Sequence, residues 1–252
     1  MEGLQSKKEP VLGFEVDLFT FEEALQCVHN ALKENRSMHI VTINPEMITN
    51  GNKNDEFGRV LNEADLTIPD GVGIKLALKI KGINQEVVPG VDFSKRLIGI
   101  CALEGYTIGL LGAKEEIVQK AAANLRNEFE NLNITYIRNG YFDEQQEDII
   151  RGELTEIAPR VLFVALGSPK QELFISKLKQ KMPRTIFIGV GGSFDVWSGC
   201  VKRAPEIYQK MGLEWLYRTV KEPSRFKRIF PALPLFLIQV IIETIQQKIK
   251  QA

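Results

Sequence analysis

Six short runs of β-favouring apolar residues recur along the chain, and each stops at Gly, Asn or Asp before the pattern turns helical. "MHIVTIN" leads into a helical stretch over 46–63, "LTIPDG" into one over 71–81, and "YTIGLLG" into one over 114–130. "NITYIRNG" is followed by a stretch over 143–158, "RVLFVALG" by 169–182, and "TIFIGVGG" by a last helical region from about 203. Ahead of them, "VLGFEVDLFTFEEAL" reads as an edge strand or small hairpin entering a first helix. Strands that alternate with helices make a mainly parallel sheet, because each crossover lays a helix on the sheet. The predicted fold is therefore a doubly wound, Rossmann-like α/β domain. In such sheets ligands bind beyond the carboxyl ends of the strands, so Thr42, Asn44, Asp70, Gly112, Gly167–Gln171 and Gly189–Asp195 are expected on one rim.

The end of the chain departs from this alternation. "RFKRIFPALPLFLIQVII" joins a basic cluster to 14 mostly apolar residues, Ile229–Ile242, interrupted by Pro231 and Pro234. That run is shorter than the roughly 20 residues a spanning helix needs, and it suits a segment lying in a membrane interface. A terminal helix packed on the core or on a partner subunit is the alternative. The expected division is an α/β catalytic domain over 1–200 and a basic, apolar helical appendage over 201–252 that acts as a membrane-surface lid.

Composition adds one asymmetry. The 252 residues are 44% hydrophobic and 25% charged, ordinary for a globular chain, with a net charge of zero. Residues 200–228, however, hold eight Lys or Arg against three Glu, a local surplus that points to an anionic partner. The opening "MEGLQSKKEP" lacks an apolar leader core, so a cytosolic protein is expected. Cys27, Cys101 and Cys200 are too scattered for a disulfide framework or a zinc site and read as buried small residues. His39, inside an apolar run, reads as a hydrogen-bonded core residue.

Candidate chemistry gathers at the predicted strand ends. "FIGVGGSFDVWSG" places Gly189, Gly191 and Gly192 directly after a strand, where backbone N–H groups can approach a phosphate. It is not the dinucleotide fingerprint G-x-G-x-x-G, since Phe194 stands three residues after Gly191. "LLGAKEE" also fails that fingerprint and no Walker sequence occurs, which disfavours nicotinamide and P-loop chemistry. "VALGSPKQE" puts Ser168, Pro169, Lys170 and Gln171 at a strand-to-helix junction. No D-x-D pair is present to hold a divalent cation against a diphosphate, so positive side chains and helix N-termini would have to receive a leaving diphosphate's charge. Arg218, Lys221, Arg225 and Arg228 have helical spacing, while Pro223 suggests two helices meeting at "KEPSR". Asp70, between Pro69 and Gly71, reads either as a helix N-cap or as a reacting carboxylate.

Taken together, "PDGVGI", "GYF", "FVALGSPKQE", "GVGGSFDVWSG", "VKRAP", "GLEWLYR" and "EPSR" resemble the WecG/TagA/CpsF family of bacterial glycosyltransferases over residues 11–230. The resemblance implies an inverting, metal-independent enzyme without a cofactor, working at the inner face of the cytoplasmic membrane. Its implied reaction moves an N-acetylmannosamine-type sugar from UDP to N-acetylglucosamine carried on undecaprenyl diphosphate, for teichoic acid or another surface polysaccharide. By the same resemblance Asp70 is the general base, Thr42 and Asn44 orient sugar groups, and Gln171 contacts a sugar. Lys170, Gly191, Gly192, Ser193 and Asp195 fall on the donor side, and Arg218, Arg225 and Arg228 belong to a lid that closes over the diphosphates. The implied partners are the UDP-sugar, the polyprenyl-diphosphate acceptor and a membrane surface, with no nucleic acid, and the resemblance is compatible with a homo-oligomer. One position departs from the family pattern: Val87 stands in "QEVVPGVDF" where an arginine is common, so Lys170 or an appendage arginine is expected to compensate. The alternative is a non-catalytic relative that binds a nucleotide-sugar or lipid diphosphate.

Overall fold

The computed structural model describes residues 6–205 and 224–251. The chain opens with an antiparallel hairpin, β1 (Lys8–Val11) and β2 (Phe14–Asp17). Helix α1 (Phe21–Lys33) follows, started by a capping box in which the Thr20 hydroxyl accepts from the Glu23 N–H and the Glu23 carboxylate accepts from the Thr20 N–H. Six parallel strands then form the main sheet: β3 (Met38–Ile43), β4 (Leu66–Pro69), β5 (Ile108–Gly112), β6 (Ile134–Arg138), β7 (Val161–Ala165) and β8 (Ile186–Gly189). Their order across the sheet is β4-β3-β8-β7-β5-β6. This is the doubly wound, Rossmann-like α/β architecture that the alternation of strands and helices predicts.

Each buried strand feeds side chains to both faces, which is why the runs are continuously apolar. Ile40, Leu66, Ile68 and Phe163 pack with α1, α5 (Gly90–Glu104) and α6 (Glu115–Glu128). On the opposite face Val41 and Ile43 pack against α2 (Pro45–Gly51) and α4 (Gly71–Ile80), while Leu111, Leu162 and Val164 pack against α7 (Glu144–Ile157) and α8 (Lys170–Lys179). The outer edge of β4 is not left open. Hairpin strand β2 lies along it, and the buried Asp17 carboxylate accepts the Thr67 N–H at 2.7 Å, occupying a donor that would otherwise template another strand.

Two stretches differ from the pattern read in the sequence. The predicted helix over 46–63 is two helices, α2 and α3 (Asp55–Asn62), because the Asn54 side chain accepts the Phe57 N–H and starts a new helix. Helix α5, for which the sequence pattern gave no element, buries Phe93, Leu97, Ile98, Cys101 and Ala102 along one face and ends at the left-handed Gly105. Of the cysteines expected inside, Cys101 is buried, Cys27 is partly buried and Cys200 is exposed.

The chain ends in α10 (Ser224–Gln251), a helix of 28 residues that contains both prolines near its start. The apolar run read as too short to span therefore continues as helix, and Ala232–Lys250 is long and apolar enough by length and composition to cross a membrane, at mean hydropathy 1.2. Yet one face is occupied: Phe236 and Val240 are fully buried with α2 and α4, and Thr244 follows one turn on. Lys81, at the end of α4, is buried and clasps this face through Glu243 at 3.2 Å and Gln247 at 3.0 Å, with Glu9 at 3.4 Å. The opposite face presents Leu235, Ile238, Ile242, Ile245 and Ile249 to solvent.

Candidate active site

The ends of β3 and β4 build one half of the rim. Asp70 follows the last residue of β4, and its N–H donates to the Ile43 carbonyl at 2.9 Å, extending the ladder one residue and pinning the turn beside β3. Asp70 holds the N-cap position of α4 with an extended backbone, φ −115° and ψ 133°, but its side chain makes no capping bond to the helix. The cap reading of this aspartate is therefore not how the fold uses it. Gly71 follows at φ +81°, a left-handed conformation that lets the chain turn from strand to helix without a Cβ clash. Asn44 does act as a cap, its side-chain Oδ1 accepting the Met47 N–H at 3.0 Å to start α2. Thr42 is half-buried at the β3 end, where α5 begins so close that a Cβ on Gly90 would lie 2.9 Å from the threonine methyl.

The ends of β7 and β8 build the other half. Gln171, in the first turn of α8, is only 5% exposed, and its amide is used twice. Its oxygen accepts the Gly191 N–H at 3.2 Å and its nitrogen donates to the Glu172 carboxylate at 2.7 Å. The amide lies across the end of β8 so tightly that a Cβ on Gly189 would sit 2.4 Å from its nitrogen. Ser193 turns its hydroxyl back onto the Val190 carbonyl at 2.7 Å, closing the loop into the short helix α9 (Ser193–Trp197), whose first turn carries Asp195 beside Gly192. Glu172 is 2% exposed; burial pushes its carboxyl above the usual range, against the hydrogen bond from Gln171 that favours the ionised form.

The cations are spread more widely than the sequence suggests. Lys170 is exposed and its ammonium lies 4.2 Å from the centre of the Phe142 ring, on the β6 and β7 side. Val87 lies at the opposite side, next to Val88, whose N–H donates to the Pro69 carbonyl at 2.8 Å. Arg203 contacts the same quarter: its guanidinium pairs with Asp92 in the first turn of α5. Arg218 lies outside the described residues, and Arg225 and Arg228 fall on the first turns of α10, where only the backbone is described. Leu233 of α10 packs by Gly73 in the first turn of α4, so the helix begins on the rim side and runs in the direction of α4.

The fold thus gathers Thr42, Asn44 and Asp70 at adjacent strand ends, with Gly191, Gly192, Ser193 and Asp195 one strand further on and Gln171 buried beneath them. Lys170 stands apart. Sequence reasoning missed Glu172 and Arg203 as parts of this rim; "SPKQE" and "VKRAP" contained both, but a glutamate in a first helical turn reads as an exposed dipole partner. Among the described residues no three His, Cys, Asp or Glu side chains converge as metal ligands.

A parallel sheet with its polar residues collected beyond the carboxyl ends defines a protein of the Rossmann-like α/β class with its candidate ligand site on that rim. The family model for the glycosyl transferase WecG/TagA/CpsF family matches residues 9–250. The chain belongs to that family and is a glycosyltransferase of it.

Proposed function

We propose that this glycosyltransferase inverts the anomeric centre of an N-acetylhexosamine, with N-acetylmannosamine first among the donors, as it moves from UDP to N-acetylglucosamine on undecaprenyl diphosphate. The product serves teichoic acid or another surface polysaccharide, made at the inner face of the cytoplasmic membrane. The observation that carries the reading is Asp70, a carboxylate delivered to the rim by a strand end and not used as the cap of the helix it precedes. In the proposed step the acceptor hydroxyl oxygen attacks the anomeric carbon while Asp70 takes its proton. The bond from that carbon to the β-phosphate oxygen breaks, and UDP leaves with the electron pair.

The leaving charge needs donors and cations in place before it develops. Arg203, oriented by Asp92 near the segment that carries Val87, is assigned this role together with Arg218, Arg225 and Arg228 from the appendage. Lys170 is dropped from it, because it stacks on Phe142 across the rim. No metal is required by this scheme. Thr42 and Asn44 border the sugar site, and Asp195 the nucleoside side. The exposed isoleucine stripe of α10 supports docking of the enzyme on the lipid surface that holds its acceptor.

The test is UDP release from UDP-N-acetylmannosamine with a lipid-diphosphate N-acetylglucosamine acceptor. Acceptor-dependent release is expected, and Asp70→Asn lowers it by about 10²- to 10⁴-fold. Full activity in Asp70→Asn removes the base assignment and leaves the family membership intact. Binding of UDP-sugars with no acceptor-dependent release from any of them identifies a non-catalytic binding relative instead.

A further inference from the structure

Beneath the glycine-rich loop lies a hydrogen-bonded chain to which the transfer step assigns no role: Glu172 carboxylate, Gln171 amide, Gly191 N–H. Both side chains are more than nine-tenths buried. We propose that Glu172 is the positioning residue of the donor-side loop: its buried carboxylate fixes the Gln171 amide in the one orientation that ties down the Gly191 N–H, and so sets the loop shape that receives a UDP-sugar.

The reasoning starts from the near symmetry of a primary amide, whose two ends fill almost the same space but have opposite hydrogen-bonding character. The Gly191 N–H needs an acceptor, so the amide oxygen must face it and the amide nitrogen must face away. Only an acceptor at the far end makes that choice binding. Glu172 provides one at 2.7 Å, and the flipped amide would oppose N–H to N–H on one side and oxygen to oxygen on the other. An apolar residue would fill the same volume and leave the choice open. Strand β8 is itself cut to fit this arrangement: a Cβ on Gly189 would lie 2.4 Å from the amide nitrogen and 3.1 Å from a Glu172 oxygen. Among the described residues the second Glu172 oxygen is buried with no hydrogen bond of ordinary geometry, and although the Ser168 hydroxyl also favours the ionised form, burial outweighs it, so the carboxylate is held there at a desolvation cost that a purely space-filling role does not explain.

The identity of the ligand rests on the glycosyltransferase reading; the ordering of the loop rests on the geometry alone. Two measurements on the full chain keep these apart: hydrogen exchange of the peptide containing 186–199, and calorimetric binding of UDP, with donor KM and kcat alongside. Glu172→Met removes the acceptor and Glu172→Gln retains one. The Met variant is expected to exchange the Gly191 amide at least 10-fold faster, to raise the UDP Kd and donor KM about 10-fold, and to leave kcat within 3-fold. The Gln variant stays within 3-fold of wild type in all four. Unchanged exchange in a folded Met variant, or a Gln variant as impaired as the Met variant, overturns the proposal. Fast exchange with an unchanged UDP Kd removes its donor-side half. If wild type binds no UDP or UDP-sugar, the functional reading fails and the exchange data still decide the positioning role. If Glu172→Met does not fold, Gln171→Met breaks the chain from its other end and must reproduce the fast exchange at Gly191.

Discussion

His39 shows what enclosing a titratable ring costs. It is 2% exposed on β3, its Nε2 has no hydrogen-bond partner among the described residues, and its pKa is lowered to about 4. Burial is the main cause, the Lys179 charge adds to it and Asp65 opposes it. The core position was legible in "MHIVTIN", but of the hydrogen-bonded ring expected there, the Nε2 end finds no partner among the described residues. Because the folded ring resists protonation while the unfolded one takes a proton near pH 6.5, its contribution is complete above that pH and is lost as pH falls towards 4. The loss reaches about 3 kcal/mol at one unit of pKa per 1.36 kcal/mol. Urea unfolding between pH 7 and 4 should show this decline in wild type and a flatter one in His39→Leu. Glu172 has the opposite sign. Its raised pKa makes the folded state the better proton binder, so stability falls as pH rises through that pKa, and Glu172→Gln is expected to melt above wild type at pH 8 with the difference vanishing near pH 4. Neither environment is local: Glu172 is buried by the end of β8 and its loop, some 20 residues along the chain, which no helical pattern encodes.

At the scale of elements, the strands were legible because a strand buried on both faces is largely apolar, and all six runs read in the sequence became β3–β8, the half-exposed edge strand β6 included. The rim residues followed from those strand ends. Helix α5 was given no element, although the apolar positions 93, 97, 98 and 101 carry a helical period that starts just after Pro89 and Gly90. Helix α10 was legible as apolar but not in its attachment, which depends on Lys81 from the distant α4. This side chain is 3% exposed, and its ammonium meets two carboxylates and an amide oxygen. Lys81→Met would leave Glu9 and Glu243 facing each other without their cation, at a cost of about 3 kcal/mol. Limited proteolysis should then cut within 232–250 faster than in wild type, while cuts within the sheet stay slow.

For the whole molecule, α10 is apolar on two opposite faces, one filled by α2 and α4 and one left to solvent. Replacing Ile238, Ile242 and Ile245 by Ser should weaken binding to anionic vesicles by on the order of 100-fold, at about 1 kcal/mol for each half-exposed isoleucine transferred to lipid. The melting temperature should barely move, since among the described residues these side chains belong to none of the buried hydrophobic groups of the fold. Unchanged vesicle binding removes the stripe from the docking surface.

The direction of α10 has a consequence for how such a molecule would sit. The helix runs with α4, from Gly73 near the rim to Lys81 at the far end, and α4 runs opposite to the strands. In the proposed docking, a bilayer laid along the isoleucine stripe would lie parallel to the strands, and the mouth of the sheet would open sideways across the headgroups. The lipid-borne acceptor of the proposed function would then glide in laterally at the level of its own phosphates, without having to be lifted out of the leaflet.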